Sequence, residues 1–190
     1  TPGVGEVAGY IASHPKEIRK KSIKQNAVAI VSDGSAVLGL GNVGPEAAIP
    51  VMEGKALLFK TFGNVDAFPI VLDTQDTEKI IETVQYIAPI FGGINLEDIS
   101  APRCFEITDR LQAILPIPVV HDDQDGSAIA TLAGLINAFK IVKKDIRKST
   151  IVVIGAGAAG TAITKLLIHY GVGNVVVVDS RGIILEGRSN

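Results

Sequence analysis

A run of glycines and two pairs of adjacent carboxylates are the groups in this sequence best suited to chemistry. Gly155-Ala156-Gly157-Ala158-Ala159-Gly160 follows a β-branched stretch, Thr150 to Ile154, and opens a helix with an apolar face. In such a turn Gly155 permits the bend, Gly157 lets backbone approach a pyrophosphate, and Gly160 allows the helix to pack close to the strand. Ala158 and Ala159 complete the loop, and the helix N-terminus offers unpaired amides and a positive dipole end to phosphates. The next strand ends at Asp179, about 20 residues on, where a carboxylate accepts from an adenosine ribose and so favours NAD. Arg181, reached through Ser180, instead presents a guanidinium to the 2′-phosphate of NADP.

The pairs Glu97 with Asp98 and Asp122 with Asp123 stand just past strand ends, as do Asp33 and Asp73. In open parallel sheets ligands bind outside the carboxyl ends of the strands, and two adjacent carboxylates repel each other until a cation compensates one of them. The single residues Asp33 and Asp73 read as turn formers or helix caps.

The elements that must position these groups alternate between strand and helix. Ala27 to Asp33 and Ala36 to Gly41 read as a hairpin about Gly34-Ser35, and Gly44-Pro45 opens a helix carrying Ala48, Val51, Met52, Leu58 and Phe59. Strands follow at Ala67 to Asp73, Gly93 to Leu96 and Ile117 to His121. Asp76 or Thr77 caps a helix with Ile80, Ile81, Val84 and Ile87 on one face, and a further helix runs from about Pro102 to Leu115. Ala128 to Val142 reads as a buried core helix, with Asp125 as the cap for the helix after Gly126. The alternation predicts an α/β architecture with a mainly parallel sheet in three αβα layers, followed by the start of a Rossmann unit. The polar stretch Lys143 to Ser149 sets the domain boundary near Lys144, giving domains 1–144 and 145–190.

Composition narrows the function class. At 190 residues, 47% hydrophobic and 20% charged, the chain can bury a core, and a net charge of -2 argues against nucleic acid or an anionic membrane as partner. The basic cluster Lys16, Arg19, Lys20, Lys21 and Lys24 reads as the solvated face of an amphipathic helix. No apolar stretch reaches the roughly 20 residues that cross a bilayer. The single Cys104 reads as a small buried residue in a reducing, cytoplasmic compartment. His14 and His169 carry no site pattern, and His121 reads as an orienting or packing residue.

Five spaced runs make the chain resemble the shorter bacterial type of malic enzyme. They are Thr1-Pro2-Gly3-Val4; Asp33-Gly34 with Leu38-Gly39-Leu40-Gly41; Glu53-Gly54-Lys55; Asn95-Leu96-Glu97-Asp98; and His121-Asp122-Asp123-Gln124, in this order before the glycine fingerprint. The resemblance covers essentially the whole chain. It implies metal-dependent oxidation and decarboxylation of malate to pyruvate with NAD or NADP, in a homodimer or larger homo-oligomer. It implies Glu97, Asp98 and Asp123 as ligands of Mg²⁺ or Mn²⁺, hard ions suited to carboxylates. It implies Lys55 as the base for the C2 hydroxyl, although by itself Lys55 reads as a surface lysine, and Asp122 as an aspartate that orients Lys55. The family's proton-donating tyrosine immediately precedes the Thr-Pro-Gly run, so the expectation is a fragment, and none of Tyr10, Tyr86 and Tyr170 takes the role. Asp125 departs from the family's usual His or Gln. Two alternatives stand beside this reading: a malolactic-type decarboxylase without net redox, and an inactive nucleotide-binding or scaffold domain.

Overall fold

In the computed structural model, which describes residues 2–188, the chain opens with helix α1 (Val4–Ser13) and the single turn α2 (Ile18–Lys21), set between two 3-10 turns. The basic segment is therefore not one amphipathic helix. The 3-10 turn Pro15–Glu17 opens it and the extended Ser22 interrupts it, and two of its cations bond to backbone carbonyls: Arg19 donates to Gly92 O at 3.2 Å, and Lys24 to Pro89 O at 2.9 Å. Burial, then the nearby Arg19, pushes the Lys24 pKa down.

Strand β1 (Ala27–Ser32) is buried almost throughout, which suits a near-continuous apolar run at the centre of a parallel sheet. The chain continues through α3 (Pro45–Gly63), β2 (Asp66–Val71), α4 (Thr77–Ile87), β3 (Gly93–Leu96), α5 (Arg103–Ile114) and β4 (Val119–His121). The sheet order is β2-β1-β3-β4, and β1 pairs in parallel with both β2 and β3. Parallel neighbours need a crossover between them, and α3 provides it from β1 to β2. The Asp76 carboxylate caps α4 by accepting from Lys79 N at 3.0 Å, and Ile80, Ile81 and Val84 form its buried stripe as the pattern predicts.

The predicted hairpin does not form. Beyond β1 the chain turns at Gly34, φ 65°, and a Cβ there would lie 2.2 Å from Gly44 O. Val43 N donates to Gly34 O at 3.0 Å, closing residues 34–44 into a loop in which only Val37 and Gly41 form an isolated bridge. Leu38 and Leu40 alternate as in a strand but stand exposed. Since β1 already has β2 on one side and β3 on the other, neither edge is left for them.

The remaining elements are α6 (Asp122–Ile141), β5 (Thr150–Ile154), α7 (Ala158–Tyr170), β6 (Asn174–Asp179) and β7 (Gly182–Ile183). β5 and β6 pair in parallel and β7 folds back antiparallel on β6. Helix α6 begins at Asp122, earlier than expected, and is not a core helix: Ala128 is buried, whereas Ile129 and Ile141 are exposed. Its apolar residues encircle the whole helix, more than its packing on α7 can cover.

The chain forms two compact units. One holds the chain up to Ile99 with Glu106–Val120, the other Ser100–Phe105 with the chain from His121 onward. Helix α6 thus lies in the second unit. Among the described residues no helix is long and apolar enough to cross a membrane.

Candidate active site

In the first unit, chemistry gathers where β3 ends. Glu97 and Asp98 are both buried, at 5% and 4% exposure, and each offers a carboxylate oxygen within 4.8 Å of the other's. Glu97 N donates to Val31 O at 2.9 Å, so the ladder with β1 fixes the backbone up to the carboxylate. Asp98 takes a positive φ of 54°, and its carbonyl accepts from Ala36 N at 2.9 Å. A left-handed aspartate costs conformational energy and persists where neighbours over-determine it. The Gly34 turn does so here: Asp33, fully buried, accepts from Ser35 N at 3.0 Å and shapes the turn that delivers Ala36. Asp33 is the turn former that its isolation suggested.

Lys55 reaches this pair from α3. Ala48 and Met52, one turn apart, are the buried residues of that helix, and Lys55 follows Met52 by three positions on the same face. Its Nζ lies 3.0 Å from Glu97 Oε1, while Asn95 Nδ2 donates to Glu97 Oε2 at 2.9 Å. Lys55 is thus no ordinary surface lysine, with its side chain only 22% exposed. Two formal negative charges meet one positive charge in this trio, and buried charge demands compensation. Carboxylate oxygens accept more than one partner, so Glu97 and Asp98 fit a hard divalent ion as donors.

In the second unit, Asp122, Asp123 and Asp125 fill the first turn of α6, where negative charge favours the helix dipole. His121 is fully buried and is the N-cap, with Nδ1 3.7 Å from Asp123 Oδ2, a packing and orienting position. Asp125 is not the cap expected of it, because the helix starts three residues earlier. Its Oδ2 accepts from His121 N at 3.0 Å, reaching back to the cap as capping-box side chains do. The Asp122 carboxylate folds over Gly126, where a Cβ would stand 2.4 Å from Oδ1. Cys104 is buried, and burial, then Asp123, pushes its thiol pKa up to about 11, as befits an inert packing residue.

The glycine turn meets its geometric requirements. Gly155 has φ 105°, and a Cβ on Gly160 would fall 1.8 Å from Gly155 O, whereas a Cβ on Gly157 would meet no atom within 4 Å. Gly157 is the N-cap of α7 with no side-chain cap, which leaves the first-turn amides of Ala158, Ala159 and Gly160 suited to a pyrophosphate. At the end of β6, Asp179 Oδ1 accepts from Arg181 N at 2.8 Å. The contact that sequence reasoning missed is Arg188: Nη1 donates to Oδ1 at 3.1 Å and Nη2 to Oδ2, a two-point fork. Arg188, then the Arg181 amide, holds the Asp179 pKa down at about 2. The Arg181 side chain, the predicted guanidinium, is exposed.

Residues 1–112 match the malic enzyme N-terminal domain, and residues 124–190 match the malic enzyme NAD binding domain. The chain belongs to the malic enzyme family. It is 61% identical to the NAD-dependent malic enzyme of Geobacillus stearothermophilus over 97% of the chain and 38% of that relative. It is 57% identical to the bifunctional malic/malolactic enzyme of Bacillus subtilis over 100% of the chain and 46% of that relative. The crystal structure of the NAD-dependent malic enzyme of Thermotoga maritima superposes with a TM-score of 0.95 at 53% identity, covering 98% of this chain and 50% of that one. The chain therefore spans less than half the length of those two curated relatives. Malic enzymes named NADP-dependent also occur among its relatives. Membership gives the predicted α/β reading its family.

Proposed function

We propose that the protein oxidises and decarboxylates (S)-malate to pyruvate and CO₂ with reduction of NAD or NADP, dependent on Mg²⁺ or Mn²⁺. The observation that carries the reading is Lys55 against Glu97 Oε1 at 3.0 Å, beside buried Asp98, in a malic-enzyme chain that also carries the dinucleotide turn. Lys55 takes the proton from the C2 hydroxyl as hydride leaves for the nicotinamide. Glu97, Asp98 and Asp123 are the proposed ligands of the ion, and Asp122 is the proposed orienting partner of Lys55. An ion held there would polarise the C2 oxygen. Gly155, Gly157, Ala158, Ala159 and Gly160 bind the pyrophosphate, with Asp179, Ser180 and Arg181 about the adenosine ribose, and NAD serves at least as well as NADP. Cytoplasmic location and a homodimer or larger assembly complete the proposal, supported by the family and by the lone buried cysteine.

The test is reduced-nicotinamide absorbance during turnover of malate with Mn²⁺. Equimolar pyruvate and reduced nicotinamide are expected. Lactate without net reduction would instead support the malolactic reading, which the Bacillus subtilis relative's name keeps in view.

A further inference from the structure

Asn95 stands inside strand β3 between the apolar Ile94 and Leu96, is 2% exposed, and has the fully buried Ile30 as its register partner on β1. Strand β3 is internal to the sheet, with β1 on one side and β4 on the other. Asparagine is depleted in strands, and a buried amide costs free energy unless it is hydrogen-bonded, so an asparagine here calls for a partner. That partner is Glu97, two positions on and therefore on the same face of the chain. Asn95 Nδ2 donates to Glu97 Oε2 at 2.9 Å, while Lys55 Nζ lies 3.0 Å from Glu97 Oε1. With a neighbour at each oxygen, the carboxylate is held against rotation about its last bond.

The chemical type of the neighbour at Oε2 matters. A lysine or arginine there would offset the charge of Glu97, and an aspartate would repel it, whereas an amide donates a hydrogen bond and adds no net charge. Glu97 and Asp98 against Lys55 therefore remain formally one negative charge in excess, which suits a cation. We propose that Asn95 is a positioning residue for the ion ligand Glu97: its neutral amide fixes the carboxylate without consuming the charge that a divalent ion needs. The inference rests on the reading of Glu97 as a ligand and goes beyond it, because Asn95 is neither a ligand nor the base. Outer partners of this kind orient a ligand and tune the affinity of its site.

Calorimetric titration of Mn²⁺ into the metal-free full chain tests this without turnover. Asn95→Leu keeps the volume and removes the donor, and should raise the Mn²⁺ Kd by about 10- to 100-fold. Asn95→Gln keeps the amide donor with one methylene more, and should stay within about fivefold of the unsubstituted protein. The order of these two variants separates hydrogen bonding from packing, since a mere packing role favours leucine. Should Asn95→Leu fail to fold without metal, as read by circular dichroism, Asn95→Ala takes its place with the same expected loss. Unchanged Mn²⁺ affinity in the variant that lacks the donor, or an affinity in Asn95→Gln no better than in that variant, overturns the role of Asn95 and leaves the ion reading standing. Absence of Mn²⁺ binding by the unsubstituted protein overturns the ion reading, and this inference with it.

Discussion

Lys55 and Asp179 show how a single contact decides what a residue can do. Lysine acts as a base only as the free amine, and the Glu97 carboxylate at 3.0 Å positions its side chain. Lys55→Ala should lower malate oxidation by about 10² to 10⁴, the usual range for a positioned acid or base. Decarboxylation of added oxaloacetate should fall less, because that carbon is already oxidised and has no hydroxyl proton to lose. Equal losses in paired assays would assign Lys55 to substrate binding instead. At Asp179 the folded pKa of about 2 lies below the ordinary value of 3.8, so the group binds a proton less readily when folded. Its contribution is therefore complete above the ordinary value and is lost as pH falls through the folded one. The melting temperature of Asp179→Asn should sit below that of the parent by a constant margin above about pH 5, and the margin should close between about pH 4 and 2. A margin that stays flat through that acid range would show that the fork contributes nothing to the fold.

Elements were legible where one local rule dominated. β3 and β6 run as predicted, because each is a short apolar run bounded by turn residues, and α4 because its cap and its stripe agree. The hairpin failed where alternation at Leu38 and Leu40 imitated a strand, while sheet topology left no edge for one. Helix α6 failed at its start because three aspartates look like loop chemistry, although acidic residues also suit a first helical turn. Lys55 was legible only through the family, since nothing local announces which lysine will face a buried carboxylate. Arg188 was not legible at all: its contact depends on how the chain returns after β7, which no spacing rule encodes. The revised role of Asp125 is directly checkable. Asp125→Ala removes the acceptor for His121 N and should destabilise the second unit by about 1 kcal/mol, whereas Asp125→Asn, which keeps an acceptor oxygen, should cost only a few tenths. Urea titration of both variants measures this, and equal losses would mean that the charge at the helix N-terminus matters rather than the hydrogen bond.

For the whole molecule, the proposed ion links chemistry to stability. Glu97 and Asp98 are buried carboxylates on adjacent residues, and Asp123 lies in the first turn of α6, so each adds negative charge that the folded chain must hold. A divalent ion that binds them in the folded chain and not in the unfolded one stabilises by mass action, about 2.7 kcal/mol at one hundred times Kd. For a chain of this length that corresponds to a rise of roughly 5 to 10 °C in Tm as Mn²⁺ is added. Asp123→Asn removes an anionic ligand with almost no change of volume, and should flatten that titration together with Mn²⁺-dependent decarboxylation of oxaloacetate. Asp125→Asn changes the same formal charge two residues away but keeps its hydrogen bond to the cap, so it should leave the Mn²⁺ response intact. The two variants have the same net charge, which separates ligation from a general loss of acidity. If Asp125→Asn loses the ion while Asp123→Asn keeps it, the ligand set is wrong and position 125 holds the metal. If neither variant nor the parent responds to Mn²⁺, the ion has no part in holding this chain together.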